Sequence, residues 1–189
     1  GGTLDSGILG ETLTTGERVA RFHEFVPLLD RLLRADHVSA AGDRYAVRDA
    51  RTLPAPVRAE VPFLIAANGP KSLRLAATYG QGWVTTGAGG DTLDEWFAGV
   101  RGLADRLDGI QADLLDSGAR PAELGPLTRW LSLDSSPVFS LSSLDVWDEM
   151  VGRAADLGFT DVVTHWPRPS GPYAGRLEVL DQVADRIAG

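Results

Sequence analysis

The chain has 189 residues, 43% hydrophobic and 23% charged, the balance of a folded globular protein rather than a disordered or fibrous one. Its 18 basic and 26 acidic side chains give a formal net charge of −8, which argues against a nucleic-acid or anionic-membrane binder and leaves small molecules as the expected partners. With no cysteine, disulfides, zinc–thiolate sites and cysteine nucleophiles are excluded.

A chain of this size buries roughly 70% of its unfolded surface, so it needs no covalent or metal staple, and one domain over residues 1–189 is expected. No apolar run approaches the roughly 20 residues that span a bilayer, and the N-terminus lacks the regions of a signal peptide, so a cytoplasmic protein is expected. The chain opens Gly1-Gly2-Thr3-Leu4 without an initiator Met, which suggests a cut through a longer protein. Only Lys71 among the 18 basic residues is a lysine.

Thr14 and Glu17 have capping-box spacing and predict a helix running to about Leu33, with Val19, Phe22, Val26, Leu29 and Leu33 as a stripe laid against a core. His37 to Ala40 and Arg44 to Val47 flank the turn cluster Ala41-Gly42-Asp43 and read as a short hairpin. Pro54, Pro56 and Pro62 remove too many donors for a helix or central strand over residues 51–62. From Phe63 the pattern repeats. Phe63-Leu64-Ile65-Ala66-Ala67 reads as a strand buried on both faces, followed by a helix over about Lys71 to Tyr79 and a second buried strand over Gly82 to Thr86. Thr92 and Glu95 announce the next helix, with Leu93, Trp96, Phe97, Val100, Ala104 and Leu107 inward, and Leu127 to Leu133 reads as the third strand. Ser142 and Asp145 mark another helix, Thr160 to Thr164 a fourth strand, and Ala174 to Ile187 a last helix.

Four alternations of strand and helix predict an α/β protein with a parallel sheet whose two faces are covered. An open doubly wound sheet and part of a (β/α)8 barrel both fit. By length, the second would be the C-terminal half of a barrel, since a complete one takes about 250 residues.

In either architecture ligands gather at the C-terminal ends of strands, where Asn68, Gly69, Thr85, Thr86, Asp134 and His165 fall. The sequence Asn68-Gly69-Pro70-Lys71-Ser72 runs from a strand through a turn into a helix. A basic side chain in a first helical turn is disfavoured, unless an anion lies over the helix end on the free N–H groups. Lys71 and Ser72 are therefore candidates for phosphate binding, although a plain turn with a solvated lysine also fits. The loop Thr85 to Gly90 lacks dinucleotide or P-loop spacing. His165, beside Trp166 and Arg168, is the candidate proton donor or acceptor, with a packed loop anchor as the other reading. Asp134 suits orienting a substrate or bonding loop backbone. His23 and His37 read as structural, and no metal-ligand spacing appears.

The segment from Pro62 to Ala77 together with Tyr79-Gly80-Gln81-Gly82-Trp83 resembles the fifth-to-sixth-strand region of the bacterial luciferase-like monooxygenases, flavin- or deazaflavin-dependent (β/α)8 barrels. Arg18 to Leu33 resembles the helix after the fourth strand, and Val38 to Pro56 the hairpin and proline-rich lead into strand five. The resemblance implies that Asn68, Gly69, Lys71 and Ser72 cradle the phosphate of FMN or of the deazaflavin coenzyme F420, with Gly1 and Gly2 beside it. It implies that Thr85 and His165 bound the coenzyme ring, and that strands one to four have no counterpart here. The expected function is a flavin- or deazaflavin-dependent oxidoreductase or monooxygenase acting on a small organic substrate. The alternatives are a non-catalytic half-barrel subunit and a module for another phosphorylated metabolite. Open sheet edges lead to the expectation of a homodimer.

Overall fold

In the computed structural model of the chain, residues 3–57, 61–121 and 124–188 are described. They group into two compact units, Gly1–Phe63 and Leu64–Gly189. Among the described residues no helix is long and apolar enough to cross a membrane.

The first unit holds α1 (Thr3–Ile8), α2 (Thr15–Arg34) and an antiparallel hairpin of β1 (Val38–Ala41) and β2 (Ala46–Ala50). The short α1 falls where the sequence pattern predicts no element. The capping box at α2 is formed: Thr14 Oγ1 accepts the Glu17 N–H at 3.3 Å, and the Glu17 carboxylate accepts the Thr14 N–H at 2.8 Å. Of the five-residue apolar stripe only Val26 is buried; Val19, Phe22, Leu29 and Leu33 are half-buried, because one helix and a two-stranded hairpin make too thin a layer to enclose it. The strand β2 starts two residues beyond Arg44. The Arg44 and Tyr45 N–H groups donate to the Glu24 carboxylate, at 3.0 and 2.7 Å, instead of joining a ladder. Residues 51–57 form neither helix nor strand, as their prolines require.

The second unit runs β3 (Leu64–Ala66), α3 (Pro70–Tyr79), β4 (Gly82–Thr85), α4 (Leu93–Asp116), β5 (Thr128–Ser132), a 3-10 turn (Leu133–Ser135), α5 (Leu144–Asp156), β6 (Asp161–Val163) and α6 (Leu177–Ala188). The four strands are parallel in the order β3-β4-β5-β6, so the chain never reverses direction across the sheet. The protein is thus α/β with a parallel sheet. Two helix starts differ from expectation. Ser143, not Ser142, caps α5, its Oγ accepting the Val146 N–H at 3.2 Å. The helix α6 begins three residues later than Ala174, because the loop before it bonds to itself: the Arg168 N–H donates to the Tyr173 carbonyl at 2.8 Å and the Gly175 N–H to the Arg168 carbonyl at 3.0 Å.

The two faces of the sheet differ. Ile65, Trp83, Thr85 and Leu131 form the buried face, and α3 packs on β3 and β4 and along α4. On the other face the register aligns Ala66 with Val84, Trp130 and Asp161, and Leu64 and Val163 are 50% and 40% exposed. The expectation that β3 is buried on both faces is therefore wrong. As an edge strand it buries Ile65 on the helix side and leaves Leu64 open, a distinction that an unbroken apolar run does not carry. A Cβ on Gly82 would come within 2.2 Å of Leu64 Cδ2 and 2.6 Å of Thr128 Oγ1, so both of those side chains would have to shift to admit one.

Arg120, only 5% exposed, fastens the end of α3: it donates to the carbonyls of Ala77, Gly80 (3.2 Å) and Gly125 (2.9 Å). Arg120→Met keeps the stem and leaves those acceptors unpaired, so equilibrium urea unfolding is expected to show a loss of about 2 to 4 kcal/mol. In the first unit, hydrogen bonds from Arg44 and Tyr45 hold the Glu24 carboxyl below its ordinary value. A lowered folded-state pKa contributes stability that is complete above the ordinary carboxylate value of 4.5 and is lost as pH falls below it. The protection of the Arg44 and Tyr45 amides, measured against the intrinsic exchange rate at each pH, is expected to fall over that acidic range, and Glu24→Gln to lower it already at neutral pH.

Candidate functional site

Parallel strands deliver their C-terminal ends to one edge, and the loops after β3, β4, β5 and β6 lie there. The first two are tied together. Asn68 donates through Nδ2 to Thr86 Oγ1 (3.2 Å) and the Gly87 carbonyl (3.0 Å), and its Oδ1 accepts the Thr85 hydroxyl at 2.6 Å. Thr85 Oγ1 in turn accepts the Gly87 N–H at 3.0 Å, and Trp83 Nε1 donates to the Ala67 carbonyl at 2.7 Å. Thr85 is 1% exposed, so its hydroxyl shapes the loops from below. Gly87 has φ +76°, and a Cβ there would lie 2.7 Å from the Trp96 indole nitrogen, so the loop passes the ring with nothing to spare.

The start of α3 lies beside this tie and is bare. Gly69 is its N-cap and supplies no side-chain hydrogen bond, Pro70 occupies the first turn, and no acidic residue is there. By contrast Thr14 with Glu17 and Thr92 with Glu95 box the starts of α2 and α4, and Ser143 caps α5. Lys71 and Ser72 sit in the uncapped turn, and among the described residues neither side chain has a hydrogen-bond or ionic partner. A Cβ on Gly69 would meet nothing within 4 Å. Free N–H groups, the positive end of a helix, an ammonium and a hydroxyl thus border open space, a set of donors that fits a phosphate. Gly1 and Gly2 lie outside the described residues.

At the far side of the same edge, Asp134 and His165 meet. The Asp134 side chain is fully buried; its Oδ1 accepts the Ser140 N–H at 2.9 Å, and its Oδ2 accepts the Thr164 hydroxyl (3.0 Å) and the His165 N–H (2.5 Å) and lies 3.2 Å from His165 Nδ1. The imidazole stacks on Tyr173 with ring centres 4.1 Å apart and planes 9° apart. Trp166 is 63% exposed, and the Arg168 side chain is exposed as well. Asp134 therefore bonds loop backbone, as one sequence reading expects, and a histidine side chain besides. Ser140, Thr164 and Tyr173 escaped sequence reasoning, since no spacing rule links them to Asp134. Among the described residues no cluster of His, Asp and Glu is arranged to hold a metal ion.

A family model described as luciferase-like monooxygenase matches residues 6–118, more than half of the chain. The chain belongs to the luciferase-like monooxygenase family. It is similar to the F420-dependent glucose-6-phosphate dehydrogenase of Mycobacterium avium (strain 104), 35% identical over 95% of this chain and 56% of that protein. It is also similar to those of Mycolicibacterium gilvum (strain PYR-GCK), 25% identical over the same shares, and of Beutenbergia cavernae, 38% identical over 41% of this chain and 23% of that protein. The chain thus spans about half the length, or less, of these relatives. Among solved structures it is similar to an F420-dependent secondary alcohol dehydrogenase in complex with an F420–acetone adduct, with TM-score 0.60 and 13% identity, covering 84% of this chain and 59% of that one. At that identity the likeness speaks for the fold.

Thr85→Val strips Asn68 Oδ1 and the Gly87 N–H of their shared partner. It is expected to lower stability by about 1 to 3 kcal/mol in urea unfolding and to speed hydrogen exchange at Gly87.

Proposed function

We propose that this chain is the coenzyme-holding part of a deazaflavin-dependent oxidoreductase acting on a small organic substrate, with residues 1–189 corresponding to strands five to eight of one (β/α)8 domain. The bare start of α3 carries this reading: an uncapped helix end with Lys71 and Ser72 in its first turn costs stability unless an anion completes it. Coenzyme F420 is favoured over FMN by the names of the relatives, and dehydrogenation over oxygen activation for the same reason. The unreversed strand order is that of a barrel, whereas a doubly wound sheet changes direction at a switch point. On this reading the open face over Leu64 and Val163 is a barrel interior, which a second copy of the chain or further strands would close. A homodimer in the cytoplasm is part of the same proposal.

The bound coenzyme supplies a hydride acceptor and donor. Lys71, Ser72 and the N–H groups after Gly69 hold its phosphate, while the Asn68–Thr85–Gly87 tie fixes the loops beside it. Gly1 and Gly2 are proposed to lie against the coenzyme as well. Three strand spacings, about 14 Å, separate β3 from β6, so His165 stands across the strand ends from the phosphate site. There it gives and takes the substrate proton.

Equilibrium titration of the chain with F420 and, separately, with FMN, followed by coenzyme fluorescence, tests the reading. Micromolar or tighter binding of F420 is expected, and Lys71→Ala is expected to weaken it by about 1.5 to 3 kcal/mol. An unchanged affinity would remove the ammonium from the site. Affinity for a sugar phosphate without any for either coenzyme would favour a phosphorylated-metabolite module, and coenzyme binding without turnover a non-catalytic subunit. Light scattering tests the homodimer, which a stable monomer would refute.

A further inference from the structure

We infer that Asp134 is a positioning residue for His165: it holds the imidazole as the Nδ1–H tautomer, so that Nε2 is the atom offered to a substrate hydroxyl or carbonyl, with Tyr173 fixing the plane of the ring. The inference deepens the proposed function and rests on it for the substrate, though not for the geometry.

The carboxylate is held from several directions. Ser140 N–H occupies Oδ1, and the Thr164 hydroxyl and His165 N–H occupy Oδ2, so the group cannot turn. The Ser140 hydroxyl, on a residue with no exposure, is 2.7 Å from Thr164 Oγ1 and braces that contact. An ionised carboxylate only accepts hydrogen bonds, so the 3.2 Å contact with Nδ1 requires the ring to donate from that nitrogen. The face of the ring is settled independently by the flat stack on Tyr173, which is itself held by the Arg168 N–H on its carbonyl (2.8 Å) and by Phe139, with ring centres 5.8 Å apart. Edge and face are both fixed, while Nε2 has no partner among the described residues and the side chain is 44% exposed.

A staple for the loop after β6 needs only the bonds from the Thr164 hydroxyl and the His165 N–H. The added contact to Nδ1 organises the one ring atom that stays free, and a neutral Nε2 with its lone pair outward accepts a proton from a hydroxyl and returns it to a carbonyl oxygen in the reverse direction. The ligand class is accordingly a small molecule carrying an alcohol or ketone, approached by Nε2 at the C-terminal end of β6.

Long-range proton–nitrogen correlation of the histidine rings in the coenzyme-free chain, at a pH where they are neutral, reads the tautomer directly; His165→Gln assigns the signal among the three histidines. Wild-type His165 is expected to favour Nδ1–H by about tenfold or more. A predominantly Nε2–H ring, or an even mixture, overturns the inference without any variant. Asp134→Asn is expected to move the ratio at least about tenfold toward Nε2–H, and a folded variant with the wild-type ratio also overturns it. Ser140→Ala removes a brace but keeps the carboxylate, so the wild-type tautomer is expected to persist. Because no coenzyme is present, failure of F420 to bind leaves this result standing, and a wrong tautomer leaves the phosphate site standing.

Discussion

The parallel register of β3 to β6 is the constraint on which the rest of the second unit depends. Parallel neighbours cannot be joined by a tight turn, so each of the three connections between consecutive strands is a crossover, and these carry the helices α3, α4 and α5. Each such helix begins where a strand has just ended, so the positive ends of three helix dipoles return to the edge that collects the loops. The sequence spends capping residues on two of them, Thr92 with Glu95 and Ser143. It spends none on α3, and there it places its single lysine.

Loop order at that edge comes from polar groups beneath the surface. Thr85 and Asp134 are both buried, and both bridge segments that the strands alone would leave independent. Their bonds carry a penalty if either partner is lost, because a donor or acceptor stranded away from water costs more than the bond contributes when made. A loop built in this way keeps one arrangement, which a site for a charged coenzyme and a proton-transferring ring requires.

Local rules served well where a single turn of chain decides the outcome. Both capping boxes formed as read, Pro54 and Pro56 kept their stretch out of regular structure, and the alternation of buried runs with helices was sufficient for an α/β sheet. Local rules failed where the answer depends on what lies opposite. The run Leu64-Ile65-Ala66 reads the same at an edge as at the centre of a sheet, and the stripe on α2 does not reveal how little covers it. Of the candidate site, the bare start of α3 was legible because Gly69, Pro70, Lys71 and Ser72 are consecutive. The Asp134–His165 pair was not, because 31 residues separate the partners and a ring stacked on Tyr173 leaves no periodic trace.

Having one lysine gives the protein a chemical property that follows from composition and placement together. Reagents that acylate primary amines have a single side chain to find, and it lies in the turn that opens α3. The arginines are inert to such reagents, because their guanidinium groups stay protonated. The extent of acylation at one mass-resolved position therefore reports how often that turn is covered. The chain carries a footprinting probe of its own anion site without any engineered label.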